Sequence, residues 1–223
     1  MIHRRFDWSE VHLVLLALFI SGVILPVAAA ETAQPACKKE IVDILAGMEA
    51  LPPHEETKTT IHENKKNPGA SFEKASDKRT VVRRVAPDRY TFTMWKQGTL
   101  RLESVTIGKR TWDREPGTGW TLQPSSRQTE LTDSLAARIA DTARELNSTI
   151  EEPGCHGLGE RAGKPVLRYT YRLLLSDFEL WVDSVTRHPV EERMVIELPA
   201  LNARSVTTRH FKYDPSMRVE APE

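Results

Sequence analysis

Cysteine is nearly absent from this chain, with Cys37 and Cys155 the only two among 223 residues. Two cysteines so far apart form no Cys-x-x-Cys pair, which sets aside zinc ribbons and thioredoxin-type redox motifs. An excess of either charge is also missing, because Lys+Arg 31 balance Asp+Glu 31. Proteins that grip nucleic acid through its phosphates carry a basic surplus or a dense basic stripe, so that class is excluded. Glycine is sparse, and its one concentration, Gly154, Gly157, Gly159 and Gly163, holds neither a P-loop nor a dinucleotide fingerprint and reads as turns. No serine stands in a G-x-S-x-G elbow. His54, His62, His156, His188 and His210 lack the spacing of metal ligands and read as surface residues. Glu151–Glu152 and Glu191–Glu192 are sequence neighbours, and neighbours on a strand face opposite ways, so neither pair is an acid and base couple. With no nucleophile, base and orienting group to assemble, neither an enzyme nor a metal or cofactor site is expected.

Long apolar runs are missing everywhere except at the start. Arg4 and Arg5 precede the apolar stretch Leu13 to Ile20, and Ala28 to Ala30 supply a small-residue end. That is the pattern of a Sec-type secretory signal peptide over residues 1–30, with an uncleaved anchor as the alternative. Cys37 does not follow the small-residue site directly, so a lipoprotein is not expected. Removal of Arg4, Arg5, Asp7 and Glu10 leaves the charge balance unchanged. The expected product is a single periplasmic domain over residues 31–223. In an oxidising compartment two cysteines pair by default, and a Cys37–Cys155 bridge is the expectation. On chain-entropy grounds it would contribute about 4 to 5 kcal/mol.

What is present is a set of periodicities. Ile41, Ile44, Leu45, Met48 and Leu51 recur at helical spacing after a short Pro-containing lead, and Pro52 and Pro53 end the run. Period two takes over from His54, with a turn at Asn67-Pro68-Gly69 and strands over Thr80 to Val85, Arg89 to Lys96 and Thr99 to Ile107. Short strands follow at Thr111–Trp112 and Trp120–Leu122. Tight turns between them imply an antiparallel meander. A second helix is read between Thr129 and Leu146, capped by Thr132, Asp133 or Ser134. Strands return at Pro165 to Leu173, Phe178 to Asp183, Val190 to Leu198 and Ala203 to Tyr213.

Apolar weight in this polar chain sits on the strands: Tyr90, Phe92, Met94, Trp95, Trp112, Trp120, Tyr169, Tyr171, Phe178 and Trp181. Most of it must serve as sheet core, yet a sheet with only two helices to cover it can leave an apolar pocket. The basic cluster Lys78, Arg79, Arg83 and Arg84 reads either as a site for an anionic partner such as a lipid head group or as a solvated strand face.

The order of elements resembles the exported proteins related to the lipoprotein carrier LolA. The resemblance rests on the helix at Cys37 to Leu51, on Ala86-Pro87-Asp88-Arg89-Tyr90, and on Ile107-Gly108-Lys109-Arg110-Thr111-Trp112 leading to Gly119-Trp120. It extends to Phe178-Glu179-Leu180-Trp181-Val182-Asp183 with His188-Pro189-Val190, and to Phe211-Lys212-Tyr213-Asp214. It implies an α+β fold, a strongly curved antiparallel sheet forming an incomplete β-barrel, with the N-terminal and mid-chain helices on the concave side. Members of that group shield lipoprotein acyl chains, bind other lipids or sense envelope stress. A monomer binding a lipid or a lipoprotein acyl chain between sheet and helices is therefore expected, with Phe92, Met94, Leu100, Leu102, Tyr169, Tyr171 and Leu180 as cavity candidates. The alternative is a structural or regulatory module with a filled core that contacts a cell-envelope protein.

Overall fold

The computed structural model describes residues 27–124 and 134–223, with side chains from residue 34 onward. Most of the expected signal peptide, and Thr129, Leu131, Thr132 and Asp133 of the second helix, lie outside the described residues. The chain divides into a unit Met1–Pro35 and a unit Ala36–Glu223. Of the first, the described backbone is helical. The second contains the sheet.

Helix α1 spans Val27–Gly47, with Pro35 inside it rather than in a lead ahead of it. A proline removes one backbone hydrogen bond and leaves the rest of the ladder in place. A 3-10 turn at Met48–Ala50 follows, and the chain becomes extended from Leu51 into Pro52 and Pro53. Strands β1 (His54–Asn64), β2 (Glu73–Ala86), β3 (Arg89–Lys96), β4 (Thr99–Ile107), β5 (Arg110–Arg114) and β6 (Thr121–Leu122) form the meander. Helix α2 (Leu135–Thr149) is capped by Ser134, whose hydroxyl accepts from the Ala137 N–H at 3.2 Å. Strands β7 (Ile150–Arg161), β8 (Lys164–Leu173), β9 (Ser176–Asp183), β10 (Pro189–Leu198) and β11 (Ala203–Tyr213) complete the fold.

The eleven strands of the described residues join one antiparallel sheet in the order β6-β5-β4-β3-β2-β1-β11-β10-β9-β8-β7. The last strand returns to pair with the first, His54 opposite Tyr213 through Asn64 opposite Ala203, so the two meanders are fused along β1 and β11. The sheet is open, with β6 and β7 at its edges. This is the α+β architecture with an open, incomplete barrel that the resemblance implied. Turn chemistry sets the register where it is tight: Gln97 and Gly98 both have positive φ, 51° and 74°, as a two-residue hairpin of the twist-matching kind requires.

The glycine-rich stretch is the main departure from expectation. Rather than turns it is the edge strand β7, paired with β8 from Ile150 opposite Leu173 to Arg161 opposite Lys164, with two register shifts. An edge strand exposed on both faces carries no alternation to read. Gly154 is required there by close approach, since a Cβ would lie 2.4 Å from Thr170 Oγ1.

The packed core occupies one side of the molecule. Cys37, Ile41 and Val42 of α1 pack with Ile150 and with Tyr169, Tyr171, Leu180 and Val182 of β8 and β9, flanked by Ala143 and Leu146 of α2. Cys37 and Cys155 are joined, with Cα atoms 5.8 Å apart, so α1 is bonded covalently to the edge strand.

Candidate functional site on the inner face of the sheet

Residues directly opposite on antiparallel strands share a face, and the register therefore assigns every side chain to one side of the sheet. One row runs Tyr169, Leu180, Glu192, Arg209, Lys58, Thr80, Met94, Leu102. The adjacent row toward the Asn64 end of β1 runs Tyr171, Phe178, Met194, Thr207, Thr60, Lys78, Lys96. On the same face, the next rows toward the His54 end of β1 hold Phe211, Glu56, Val82 and Phe92, then Tyr213, His54, Arg84 and Tyr90. Because Tyr169 and Leu180 pack against α1, these rows define the inner face.

Over β8 and β9 this face is filled. Tyr169, Tyr171 and Leu180 are buried in the core, and Tyr171 stacks on Phe178 with ring centroids 4.8 Å apart. Glu40 of α1 accepts a hydrogen bond from Tyr169 Oη at 2.8 Å and pairs with Arg187, so the helix is held by polar contacts as well as by the disulfide. Burial and the Glu40 carboxylate push the Tyr169 hydroxyl up to about 12. A ligand reaching these three candidates would have to displace α1.

At the seam between the two meanders lies a partly buried ionic network. Glu192 accepts from Tyr171 Oη at 2.9 Å and from Arg209 Nη1 at 2.9 Å. Arg209 also grips Glu56 with two bonds, Nε at 2.9 Å and Nη2 at 3.1 Å. Burial works against the Arg209 charge, but the two carboxylates outweigh it and raise its pKa. Burial, reinforced by Glu192, raises that of Tyr171. His54 departs from the surface placement expected of it: it is buried, donates from Nδ1 to the Pro52 carbonyl at 2.8 Å, and is flanked by the rings of Phe211 and Tyr213. Burial lowers its pKa from 6.5.

Across the seam the inner face changes character. Val82, Tyr90, Phe92, Met94 and Leu102 form an apolar strip over β2, β3 and β4, all of them half-buried, and the core cluster takes no residue from these strands. Leu100 does not join the strip: a register shift after Met94 sets it opposite Trp95, a residue of the outer face. The structure thus divides the seven candidates: Phe92, Met94 and Leu102 share one open surface, Leu100 is turned by the register shift to the face of Trp95, and Tyr169, Tyr171 and Leu180 lie under α1.

The outer face is laced with ion pairs and cation–π contacts, including Arg83–Glu55, Arg168–Glu179 and Arg114–Glu103, with Arg79 over Trp95 and Arg161 over Trp181. Glu191 turns outward to Arg161 while Glu192 turns inward, as alternation demands. Clefts of about 430 Å³ lie beside the helices, one between α2 and the inner-face Arg84, lined also by Glu49, Arg138 and Glu145, another lined by Glu40, Ile44, Arg187 and Pro189. Among the described residues no group of His, Cys, Asp or Glu is arranged to hold a metal ion, and no helix is long and apolar enough to cross a membrane. The Glu56–Arg209–Glu192–Tyr171 network escaped sequence reasoning. Its members sit at ordinary strand positions up to 153 residues apart, and only the β1–β11 pairing brings them together.

The chain matches no protein-family model and no curated protein. Among solved structures it is similar to the lipoprotein LppX of Mycobacterium tuberculosis, with 12% identity over 83% of this chain and 99% of that one at a TM-score of 0.49. It is similar to LprF from Mycobacterium bovis, with 12% identity over 85% and 97% of the two chains at a TM-score of 0.47. MucB, in its complex with MucA(peri), shares 15% identity over 81% of this chain and 57% of that chain, with a TM-score of 0.36. These stand beside the LolA-like resemblance of the sequence as likenesses.

Proposed function

We propose that this is an exported, periplasmic, monomeric protein that binds a hydrophobic ligand, a lipid or a lipoprotein acyl chain, on the inner face of β2–β4. One observation carries this reading. On a single face, the β8–β9 half is closed by α1 whereas the strip Val82, Tyr90, Phe92, Met94 and Leu102 remains half-exposed. Covering such a strip with an acyl chain removes apolar surface from water and gains about 25 cal/mol per Å². The function is binding rather than catalysis, and the packed half serves as the rigid wall against which the open half is held.

Native mass spectrometry with lipid extraction, followed by titration with a fluorescent fatty acid, tests this. The expected result is a co-purifying lipid or saturable uptake that Met94→Asp abolishes. Protein that is empty and takes up no fatty acid overturns the reading. A second reading, an interaction module for an envelope protein, is favoured by the filled core around Tyr169, Tyr171 and Leu180. Crosslinking in cells that captures one partner through the inner face, with no lipid uptake by the purified protein, would establish it instead.

A further inference from the structure

The sequence cluster Lys78, Arg79, Arg83 and Arg84 is split by the fold. Arg79 lies over Trp95 and Arg83 pairs with Glu55, both on the outer face, while Arg84 lies over Tyr90. Of these four, Lys78 alone is left without a partner among the described residues, and it points to the inner face. Directly opposite it on β3 is Lys96, and one row away on β1 is Lys58. All three lysines are exposed, and none has an ion pair or hydrogen bond among the described residues. The acids on that stretch of the face, Glu56 and Glu192, are already engaged by Arg209. Asp77, next in sequence to Lys78, faces the other way and pairs with Lys74.

Three unneutralised ammonium groups on three neighbouring strands, about 5 Å apart from strand to strand, form a compact positive site. Like charges directly opposite on a sheet destabilise it, so the Lys78–Lys96 pair costs stability in the free protein and is relieved by an anion. The site is continuous with the apolar strip. Along β3 the inner-facing residues run Lys96, Met94, Phe92, Tyr90, a path of about 20 Å, long enough for an extended acyl chain.

We propose that Lys58, Lys78 and Lys96 bind the anionic head group of a single amphiphile whose tail lies along Met94, Phe92 and Tyr90; this rests on the hydrophobic-ligand reading and specifies its ligand as an anionic lipid. The ammonium groups make charge-assisted bonds to the head-group oxygens while the tail covers the strip.

Calorimetric titration of the purified protein with dihexanoyl-phosphatidylglycerol, dihexanoyl-phosphatidylcholine and inorganic phosphate tests the proposal. The glycerol lipid is expected to bind on the order of tenfold more tightly than the choline lipid, with the difference shrinking as salt is raised. K58Q/K78Q/K96Q should bring the two lipids to equal affinity, and its melting temperature should be no lower than that of the parent. Equal affinity in the parent protein overturns the head-group site and leaves the hydrophobic-ligand reading standing. No binding of either lipid overturns both. Phosphate binding as tightly as the glycerol lipid overturns the amphiphile in favour of a free anion.

Discussion

The two halves of one sheet face differ in what covers them. Over β8 and β9 the inner side chains are Tyr169, Tyr171 and Leu180, closed by α1, which is fixed by a disulfide, a tyrosine–carboxylate bond and an arginine. Over β2–β4 they are Val82, Phe92, Met94 and Leu102, half-exposed and bordered by three lysines that have no partner among the described residues. Strand chemistry hardly differs between them. What differs is the second layer, and the lesson is that a strand residue becomes core or surface according to whether a helix is anchored above it.

The largest test of this contrast is loss of the anchor. Replacing both cysteines by serine removes the constraint of the Cys37–Cys155 bridge, whose ends are 118 positions apart, and is expected to cost about 4 to 5 kcal/mol in urea denaturation. If α1 is what closes the β8–β9 half, that variant should also gain apolar-dye binding under native conditions. A loss under 1 kcal/mol, with no dye bound, would mean that packing alone holds the helix.

At the seam, Arg209→Ala would leave the buried Glu192 and the half-buried Glu56 without their cation, at a cost of about 2 to 3 kcal/mol. The same measurement on Arg83→Ala, whose pair with Glu55 lies on the outer face, should show a loss of less than about 1 kcal/mol. Comparable in size is a matched pair of truncations. Leu180→Ala should destabilise by about 2 to 5 kcal/mol, and Met94→Ala, on the open half, by about 1 kcal/mol or less. Equal effects would erase the distinction between filled and open halves.

The smallest effect is a pH dependence. His54 is held neutral in the folded protein by burial, so its folded-state pKa lies below the ordinary 6.5. The unfolded chain then binds the extra proton, and His54 contributes stability that is present above pH 6.5 and is lost as pH falls below it. His54→Asn, which keeps an N–H for the Pro52 carbonyl, should flatten the fall in melting temperature between about pH 7 and pH 5. An unchanged slope would assign the acid sensitivity to another group.

Much of the fold was legible in the chain. Local signals placed the strands β3 and β4 with their Gln97–Gly98 hairpin, the Ser134 cap of α2 and the antiparallel connections, because each depends on residues within a few positions of one another. Strand β7 was not legible, since an edge strand with glycines at its irregular positions has neither alternation nor β-branched weight. His54 was read as exposed because its neighbours are polar, whereas its burial comes from Phe211 and Tyr213 on the strand that closes the sheet. The candidate site was half legible: alternation put Phe92, Met94 and Tyr169, Tyr171 on strand faces but could not say which would be covered.

Sequence alone determined the two helices, the antiparallel sheet, the pairing of the cysteines and the faces on which side chains alternate, because period and turn chemistry are local properties. Tertiary structure decided that β11 returns beside β1, that Glu56, Arg209 and Glu192 meet, and that Lys58, Lys78 and Lys96 are left facing one apolar strip. Those outcomes depend on register between strands distant in the chain, where a shift of one residue would turn every side chain to the other face.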